Sequence, residues 1–130
     1  MQFKGFTLIE LLVVVALIGI LSAIGIFMFG GQTKAAKQKN AELSLNTINL
    51  AQQEYRSNFG SYYYYPSCSS DSAKNIAANL LDGMDNLSEQ DFQFCISGSG
   101  SNYLIKAYNP SSGCQITLNE KLTLNRNFSC

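Results

Sequence analysis

The stretch Gly5-Phe6-Thr7-Leu8-Ile9-Glu10-Leu11-Leu12-Val13-Val14-Val15 decides the architecture of this 130-residue chain, because it opens an apolar run that extends from Phe6 to Phe29. About 20 helical residues cross the ~30 Å hydrocarbon core of a bilayer, so the run is long enough for one crossing. A single charge, Glu10, interrupts it. A charge in hydrocarbon costs about 3 kcal/mol or more unless it has a partner or reaches the interface, so Glu10 is a candidate functional residue.

The residues around Glu10 form a pattern that resembles a known family. Gly5 precedes the aromatic residue Phe6, Glu10 stands five residues after the glycine, and the apolar run follows. This segment is similar to the N-terminus of type IV pilins and of the related pseudopilins of type II secretion. The resemblance implies that residues 1–5 are a leader, that a prepilin peptidase cuts between Gly5 and Phe6 and methylates Phe6, and that Glu10 acts in assembly.

Two physical interpretations of Glu10 are open. An acid in the first turn of a helix is stabilised by the helix dipole by about 0.3–1 kcal/mol, which leaves most of the desolvation cost unmet. If Phe6 becomes the N-terminus, its amino group is cationic at neutral pH, and such a group on an adjacent subunit would neutralise the carboxylate. We favour the pair between subunits.

The direction of membrane insertion has conflicting signals. A secretory signal peptide has an apolar core of about 7–15 residues that ends at an A-x-A-like site, whereas Ser22-Ala23-Ile24 lies inside this longer run. Three lysines follow the run and one precedes it: Lys34, Lys37 and Lys39 against Lys4. This bias favours an inverted single-pass anchor, because positive residues normally stay in the cytoplasm. We give the leader pattern more weight, because it combines several coupled residues.

Apolar side chains continue at helical spacing beyond the run. The stripe contains Ala41, Leu45, Ile48, Gln52, Tyr55 and Phe59, with Gln52 as its polar member. No proline lies between Phe6 and Phe59, so the pattern predicts one long helix of about 80 Å at 1.5 Å per residue. Residues 6–29 would be its transmembrane or fibre-core half, and residues 30–59 its amphipathic half. Local melting at Gly30-Gly31 and close glycine packing between helices are both open.

Residues 60–130 predict a globular head. Gly60 is a stop for the long helix, and a short helix over about residues 72–82 is capped by Asp71 or Ser72 and ended by Gly83. Turn residues then separate four strand-like segments, at residues 92–96, 103–108, 115–119 and 122–125. The predicted fold class is therefore α+β, with a long N-terminal α-helix packed on a small antiparallel β-sheet head, which is also the pilin fold that the resemblance implies.

Four cysteines lie in the head, at Cys68, Cys95, Cys114 and Cys130. They contain no C-x-x-C pair, and the chain has no histidine, so disulfides in an oxidising compartment are favoured over a zinc site. Three pairings are possible for four cysteines. We prefer Cys68 with Cys95 and Cys114 with Cys130, because the second pair flanks the last hairpin and ties down the C-terminus.

Composition gives little support for catalysis or for a cofactor. Without histidine, a serine or cysteine nucleophile lacks its commonest base, so we expect no enzyme. Four acids near one turn could bind calcium through oxygen ligands: Asp82, Asp85, Glu89 and Asp91. The same residues suit a helix end and a local cap, and we favour that structural interpretation and expect no cofactor.

Nucleic acid binding is disfavoured by charge. Charged residues make up 14% of the chain, against about 25% in typical domains. Residues 60–130 carry four cations and six acids, a net charge of −2, whereas phosphate binding depends on clustered Lys and Arg. The tyrosines at positions 62–65 could stack on bases, form an adhesive patch or line a packed loop, and we favour the packed loop.

The resemblance implies a structural subunit, in the first place the major pilin of a type IV pilus. Such a subunit is held in the bacterial inner membrane as a prepilin and then polymerises through its N-terminal helix into an extracellular filament for adhesion, motility or DNA uptake. Its partners would be identical subunits in a helical filament, the prepilin peptidase and an inner-membrane assembly platform. A minor pilin that binds DNA or a surface, and a type II secretion pseudopilin, are the alternatives.

Overall fold

The computed structural model describes residues 4–84 and 87–130. Two helices precede four strands: α1 (Leu8–Phe59), α2 (Ser72–Leu80), β1 (Gln93–Ser99), β2 (Asn102–Tyr108), β3 (Gln115–Asn119) and β4 (Leu124–Arg126). The strands form one antiparallel sheet in the order β1-β2-β3-β4. The long N-terminal helix and the small antiparallel sheet confirm the predicted α+β class.

The chain divides into two compact units, the first ending at Ala36 and the second covering Lys37–Cys130. In the first unit, the large apolar side chains of residues 6–29 are between 51% and 89% exposed. By length and composition α1 is able to cross a membrane, and it stays helical through Gly30-Gly31. This unit therefore presents apolar surface that the described part of the chain does not cover.

The second unit has a core between one face of α1 and the inner face of the sheet. On α1, the predicted stripe is fully buried from Ala41 to Gln52, whereas Tyr55 is half-buried and Phe59 is 69% exposed. The largest buried side chains of α2 and the sheet are Ile76, Phe94, Ile96, Ile105 and Ile116. Buried residues alternate with half-buried or exposed ones along β2, and with half-buried ones along β3, because successive side chains of a strand point to opposite faces.

The strand boundaries differ from the predicted ones at two turns. β1 continues to Ser99, which pairs with Asn102 of β2 in a tight hairpin. In this hairpin a Cβ on Gly98 would lie 2.3 Å from the Asn102 carbonyl oxygen. Only glycine fits there. β4 starts at Leu124 and not at Leu122, because Leu122 has a φ of +62° in the turn after β3. β3 occupies the predicted residues 115–119.

Helix α2 ends at Leu80, two residues before the predicted end. Asp82 and Gly83 both take positive φ values, +51° and +80°, which no α-helix continues through. The Gly83 N–H then donates to the Ala77 carbonyl at 2.9 Å. The helix is therefore terminated by two consecutive left-handed residues instead of by Gly83 alone.

The predicted side-chain cap of α2 is wrong. Asp71 stands at the N-cap position but makes no capping hydrogen bond with its side chain. The Ser72 hydroxyl instead donates to the Ser69 carbonyl at 2.6 Å and accepts the Ser69 N–H at 3.2 Å. The serine closes the preceding turn, since it bonds backwards along the chain and not forwards into the helix.

The buried amide of Gln52 explains the polar position in the α1 stripe. Gln52 is fully buried. Its Nε2 donates to the Tyr63 carbonyl at 2.7 Å, and its Oε1 accepts the Tyr63 N–H at 2.9 Å. Tyr63 lies outside the helices and strands, so its backbone groups have no regular partner. The buried Gln52 amide provides partners for both the Tyr63 N–H and the Tyr63 carbonyl.

The tyrosine segment at positions 62–65 is packed, as favoured from the sequence. Tyr62 is buried and the other three pack against the core. The Tyr62 hydroxyl accepts from Arg56 at 2.9 Å, and the Tyr64 hydroxyl donates to the Gly100 carbonyl at 3.0 Å. Tyr65 forms a bridge with Ile96 that covers the outer edge of β1. The tyrosines thus join α1, the connection and the sheet.

A buried hydroxyl links α1 to β2. Tyr103 is 2% exposed, its hydroxyl donates to Asn49 Oδ1, and it accepts from Gln53 Nε2 at 3.2 Å. The ring of Tyr62 packs edge-on at 4.6 Å between centroids. Burial raises the pKa of the Tyr103 phenol above its ordinary value of 10.0, because the charged form would lose its hydration.

Replacing Gln52 tests its role as a backbone partner. In the full chain in detergent micelles, we expect Gln52→Met to lower the free energy of unfolding by about 1–3 kcal/mol, because the Tyr63 N–H and carbonyl lose their partners. Urea unfolding followed by tyrosine fluorescence measures the change. Gln53→Met is the matched control, since Gln53 is exposed and makes one side-chain bond. Equal losses in the two variants would contradict the assignment.

The raised pKa of Tyr103 predicts a loss of stability in alkali. Because the folded state binds the phenolic proton more tightly, this contribution is fully present below about pH 10 and is lost as the pH rises through the folded-state pKa. We expect Tyr103→Phe to be destabilised by about 1–3 kcal/mol at pH 7, since Asn49 loses its partner, and to lose less stability from pH 9.5 to 11.5. Urea unfolding across that pH range measures both effects.

The control for the alkaline effect is Ile105→Val, which removes one fully buried methylene and no titratable group. It should cost about 1 kcal/mol at every pH and keep the wild-type alkaline slope. A slope for Tyr103→Phe equal to that of the wild type would show that this phenol does not carry the pH dependence.

Candidate functional site

The predicted cleavage position lies outside the helix. Residues 4–7 are not helical, α1 begins at Leu8, and Gly5 and Phe6 are exposed, Phe6 to 84%. Residues 1–3 of the predicted leader lie outside the described part of the chain. The Gly5–Phe6 peptide is therefore non-helical and exposed, and cleavage at this position stays a prediction.

Thr7 and Glu10 form a reciprocal cap at the start of α1. The Thr7 N–H donates to Glu10 Oε2 at 3.1 Å, and the Glu10 N–H donates to Thr7 Oγ1 at 3.3 Å. The first helical bond runs from the Leu11 N–H to the Thr7 carbonyl at 3.3 Å. This is a capping box, in which a threonine and an acid three residues later satisfy two helix-end N–H groups. Thr7 is not among the predicted site residues, although the T-x-x-E spacing carries the signal.

The capping box bears on both interpretations of Glu10. The acid has a defined role within its own chain, in addition to its favourable position at the positive end of the helix dipole. An N-cap is worth about 1 kcal/mol, whereas a charge at the centre of a bilayer costs about 3 kcal/mol or more. The contacts within one chain therefore offset only part of that cost, and the pair between subunits stays a prediction.

The four cysteines form two disulfides. Cys68 pairs with Cys95 across 4.8 Å between Cα atoms, and Cys114 pairs with Cys130 across 4.5 Å. This is the pairing preferred from the sequence. The first disulfide joins the segment before α2 to β1, and the second joins the residue before β3 to the end of the chain. Each disulfide therefore adds a covalent link beside segments that backbone hydrogen bonds also join: the Tyr65–Ile96 bridge for the first, and the Asn127–Gln115 bond for the second.

An ion pair holds the last strand against α1. Glu42 is 8% exposed, accepts from Lys39 Nζ at 3.0 Å, and pairs with the Arg126 guanidinium. Arg126 lies opposite Ile116 in the β3–β4 register, so the two side chains lie on the same face of the sheet, where Ile116 is buried and Arg126 is exposed. Neither Glu42 nor Arg126 is predicted from the sequence, because their pairing depends on a register that local patterns do not determine.

The acidic group considered for calcium is not assembled in the described residues. Asp85 lies outside them, and Asp91 pairs with Lys37 at 2.5 Å. Within residues 4–84 and 87–130, no group of three or more Asp, Glu, His or Cys side chains is placed to hold a metal ion. Asp82 takes part in the end of α2 through its positive φ.

The chain is similar to known proteins in part of its length. A family model described as the prokaryotic N-terminal methylation motif matches residues 1–26. The type IV major pilin protein PilA of Myxococcus xanthus (strain DK1622) is 46% identical to this chain over 52 residues, which are 40% of the chain. The matched part spans 24% of that relative's length. No solved structure matches the chain.

The matched motif, the similarity to a major pilin and the α+β fold agree with one another. The capped glutamate and the first part of the exposed apolar helix lie within residues 1–26, which the family model matches. The N-terminal segment of the chain therefore carries the prokaryotic N-terminal methylation motif, and part of the chain is similar to a type IV major pilin.

Proposed function

We propose that this chain is the major structural subunit of a type IV pilus. In this proposal the prepilin is held in the inner membrane by the apolar half of α1, is cut between Gly5 and Phe6, and is methylated at Phe6. The processed subunit polymerises through α1 into an extracellular filament. The head undertakes no catalysis, and it needs no cofactor.

One observation carries the proposal: α1 has an exposed apolar half that begins directly after a glycine–aromatic junction and carries one capped acid. Its large apolar side chains from Phe6 to Phe29 are at least half exposed. Leaving such a surface in water is strongly unfavourable, at about 25 cal/mol per Å² of apolar area. The two environments that would cover it are lipid before assembly and neighbouring α1 helices after assembly.

Identical subunits that meet through two different surfaces form head-to-tail contacts. If these contacts do not close into a ring, subunits continue to add and form an open helical filament. The Glu10 carboxylate and the amino group created at Phe6 are such unlike surfaces on one chain. When they pair between subunits, the two opposite charges neutralise each other in the apolar surroundings. The amino group is then the cationic partner that the capping box does not provide.

Sheared surface filaments from the source cells provide the direct test. Mass spectrometry should find this chain as the most abundant protein in the filaments, with Phe6 as a methylated N-terminus. A scarce chain in the filaments would instead favour a minor pilin, and co-purification with secretion components would favour a pseudopilin. An N-terminus at Met1 in assembled filaments would contradict the proposed processing.

The charge of Glu10 is tested separately from its cap. Glu10→Gln keeps an acceptor for the Thr7 N–H and loses the charge, whereas Glu10→Ala loses both. We expect both variants to insert into the membrane and to lower filament yield at least tenfold, because the buried amino group of the neighbour is left without its partner. Quantitative immunoblots of sheared and membrane fractions measure the yield.

Glu54→Gln is the matched control, because Glu54 is an exposed acid in the amphipathic half of the same helix. It should assemble at the wild-type level. Normal filaments in Glu10→Gln would remove the charge pair from the mechanism and leave only the cap.

A further inference from the structure

We propose that the basic segment of α1, defined by Lys34, Lys37 and Lys39, binds anionic phospholipid headgroups of the membrane that holds the prepilin. This inference rests on the proposed function, because it requires the apolar half of α1 to cross a bilayer before assembly. It adds a partner of stated chemistry, since it selects anionic lipids over zwitterionic ones.

The spacing along α1 places the basic segment at the level of the headgroups. A bilayer of about 40–45 Å has a hydrocarbon core of about 30 Å, so each headgroup layer is about 5–8 Å thick. Lys34 follows Phe29 by five residues, or about 7 Å of helix, and Lys39 follows by about 15 Å. Flexible lysine side chains extend towards the interface, and the Debye length at physiological salt is about 8 Å. All three ammonium groups are therefore within range of lipid phosphates.

The local sequence is basic and contains no compensating acid. From Leu11 to Ala41 the three lysines are the only charged residues. The acid that follows them, Glu42, is 8% exposed, so it adds little negative charge to the surface. Each lysine near an anionic bilayer surface raises the affinity for that surface about fivefold.

Lys34 and Lys37 are available to a lipid phosphate. Lys34 is exposed, and in the described part of the chain its side chain makes no ion pair or hydrogen bond. Lys37 pairs with Asp91 at 2.5 Å, but both side chains are 53% exposed. Exposed ion pairs contribute little to stability, so Lys37 exchanges Asp91 for a lipid phosphate at small cost.

Lys39 is available because its acid has a second partner. Its side chain is 68% exposed, and its Nζ lies 3.0 Å from the Glu42 carboxylate. The same carboxylate pairs with Arg126. When Lys39 turns to a lipid phosphate, Glu42 therefore keeps a cationic partner and no buried charge is left unpaired. The three lysines and Arg126 face only two paired acids, Glu42 and Asp91, which leaves a net charge of +2 for an anionic surface.

Native mass spectrometry of the full chain tests the lipid preference. The chain is released from neutral detergent micelles that contain equal amounts of phosphatidylglycerol and phosphatidylcholine with the same acyl chains, and the lipids that stay bound are counted. We expect the wild-type chain to retain phosphatidylglycerol in preference to phosphatidylcholine. Lys34→Gln should lower this preference about fivefold, and the triple variant Lys34→Gln, Lys37→Gln, Lys39→Gln should lose it.

The matched control is Lys121→Gln, because Lys121 is an exposed lysine in the turn after β3, far from α1 in the sequence. It should keep the wild-type preference. Lys34→Gln also controls for folding, since this substitution removes no contact that the structure describes. A large excess of free glycerol 3-phosphate, added to the same micelles, should not displace the bound lipid.

The outcomes separate the lipid inference from the proposed function. Equal retention of the two lipids by the wild-type chain overturns the lipid inference, and so does a preference that the triple variant keeps. Displacement of the lipid by glycerol 3-phosphate overturns it as well, because the segment would then be a site for a soluble phosphate. Absence of the chain from sheared filaments removes the proposed pilus subunit and leaves a measured lipid preference standing.

Discussion

The exposed apolar half of α1 is the constraint on which the rest of the molecule depends. Its side chains from Phe6 to Phe29 lie in the unit that ends at Ala36, and the described part of the chain does not bury them. Burial of apolar surface is the dominant favourable term in folding and association. The proposed function accounts for this uncovered surface, because lipid before assembly and other chains after assembly would bury it.

In the remainder of α1, by contrast, the apolar stripe is buried by the head. From Lys37 onward it belongs to the compact unit of the head, and its residues Ala41, Leu45 and Ile48 are fully buried there. Polar contacts make this packing specific: the Gln52 amide pairs with the Tyr63 backbone, and the Tyr103 hydroxyl bonds to Asn49. An apolar stripe tolerates sliding of a helix on a sheet, whereas buried hydrogen bonds fit one position only.

The sequence determines the elements better than the contacts between them. The period of 3.6 and the lack of proline predict α1 because both are local properties, and alternation predicts β3 for the same reason. The T-x-x-E spacing of Thr7 and Glu10 also indicates a capping box, because these two residues are three positions apart. In contrast, the Glu42–Arg126 pair joins residues far apart in the chain, and it depends on the β3–β4 register, which local patterns do not determine.

The last strand shows why such contacts need the whole fold. β4 has three residues, all exposed, so its own burial contributes little to its stability. Two long-range connections hold it: Arg126 pairs with buried Glu42, and the disulfide to Cys114 closes the segment that follows. The disulfide restricts the chain that follows Arg126, and the ion pair gives the buried Glu42 carboxylate a second cationic partner beside Lys39. A local pattern therefore places β4 only approximately, because its position depends on the pairing with β3, on the ion pair of Arg126 and on the disulfide that follows it.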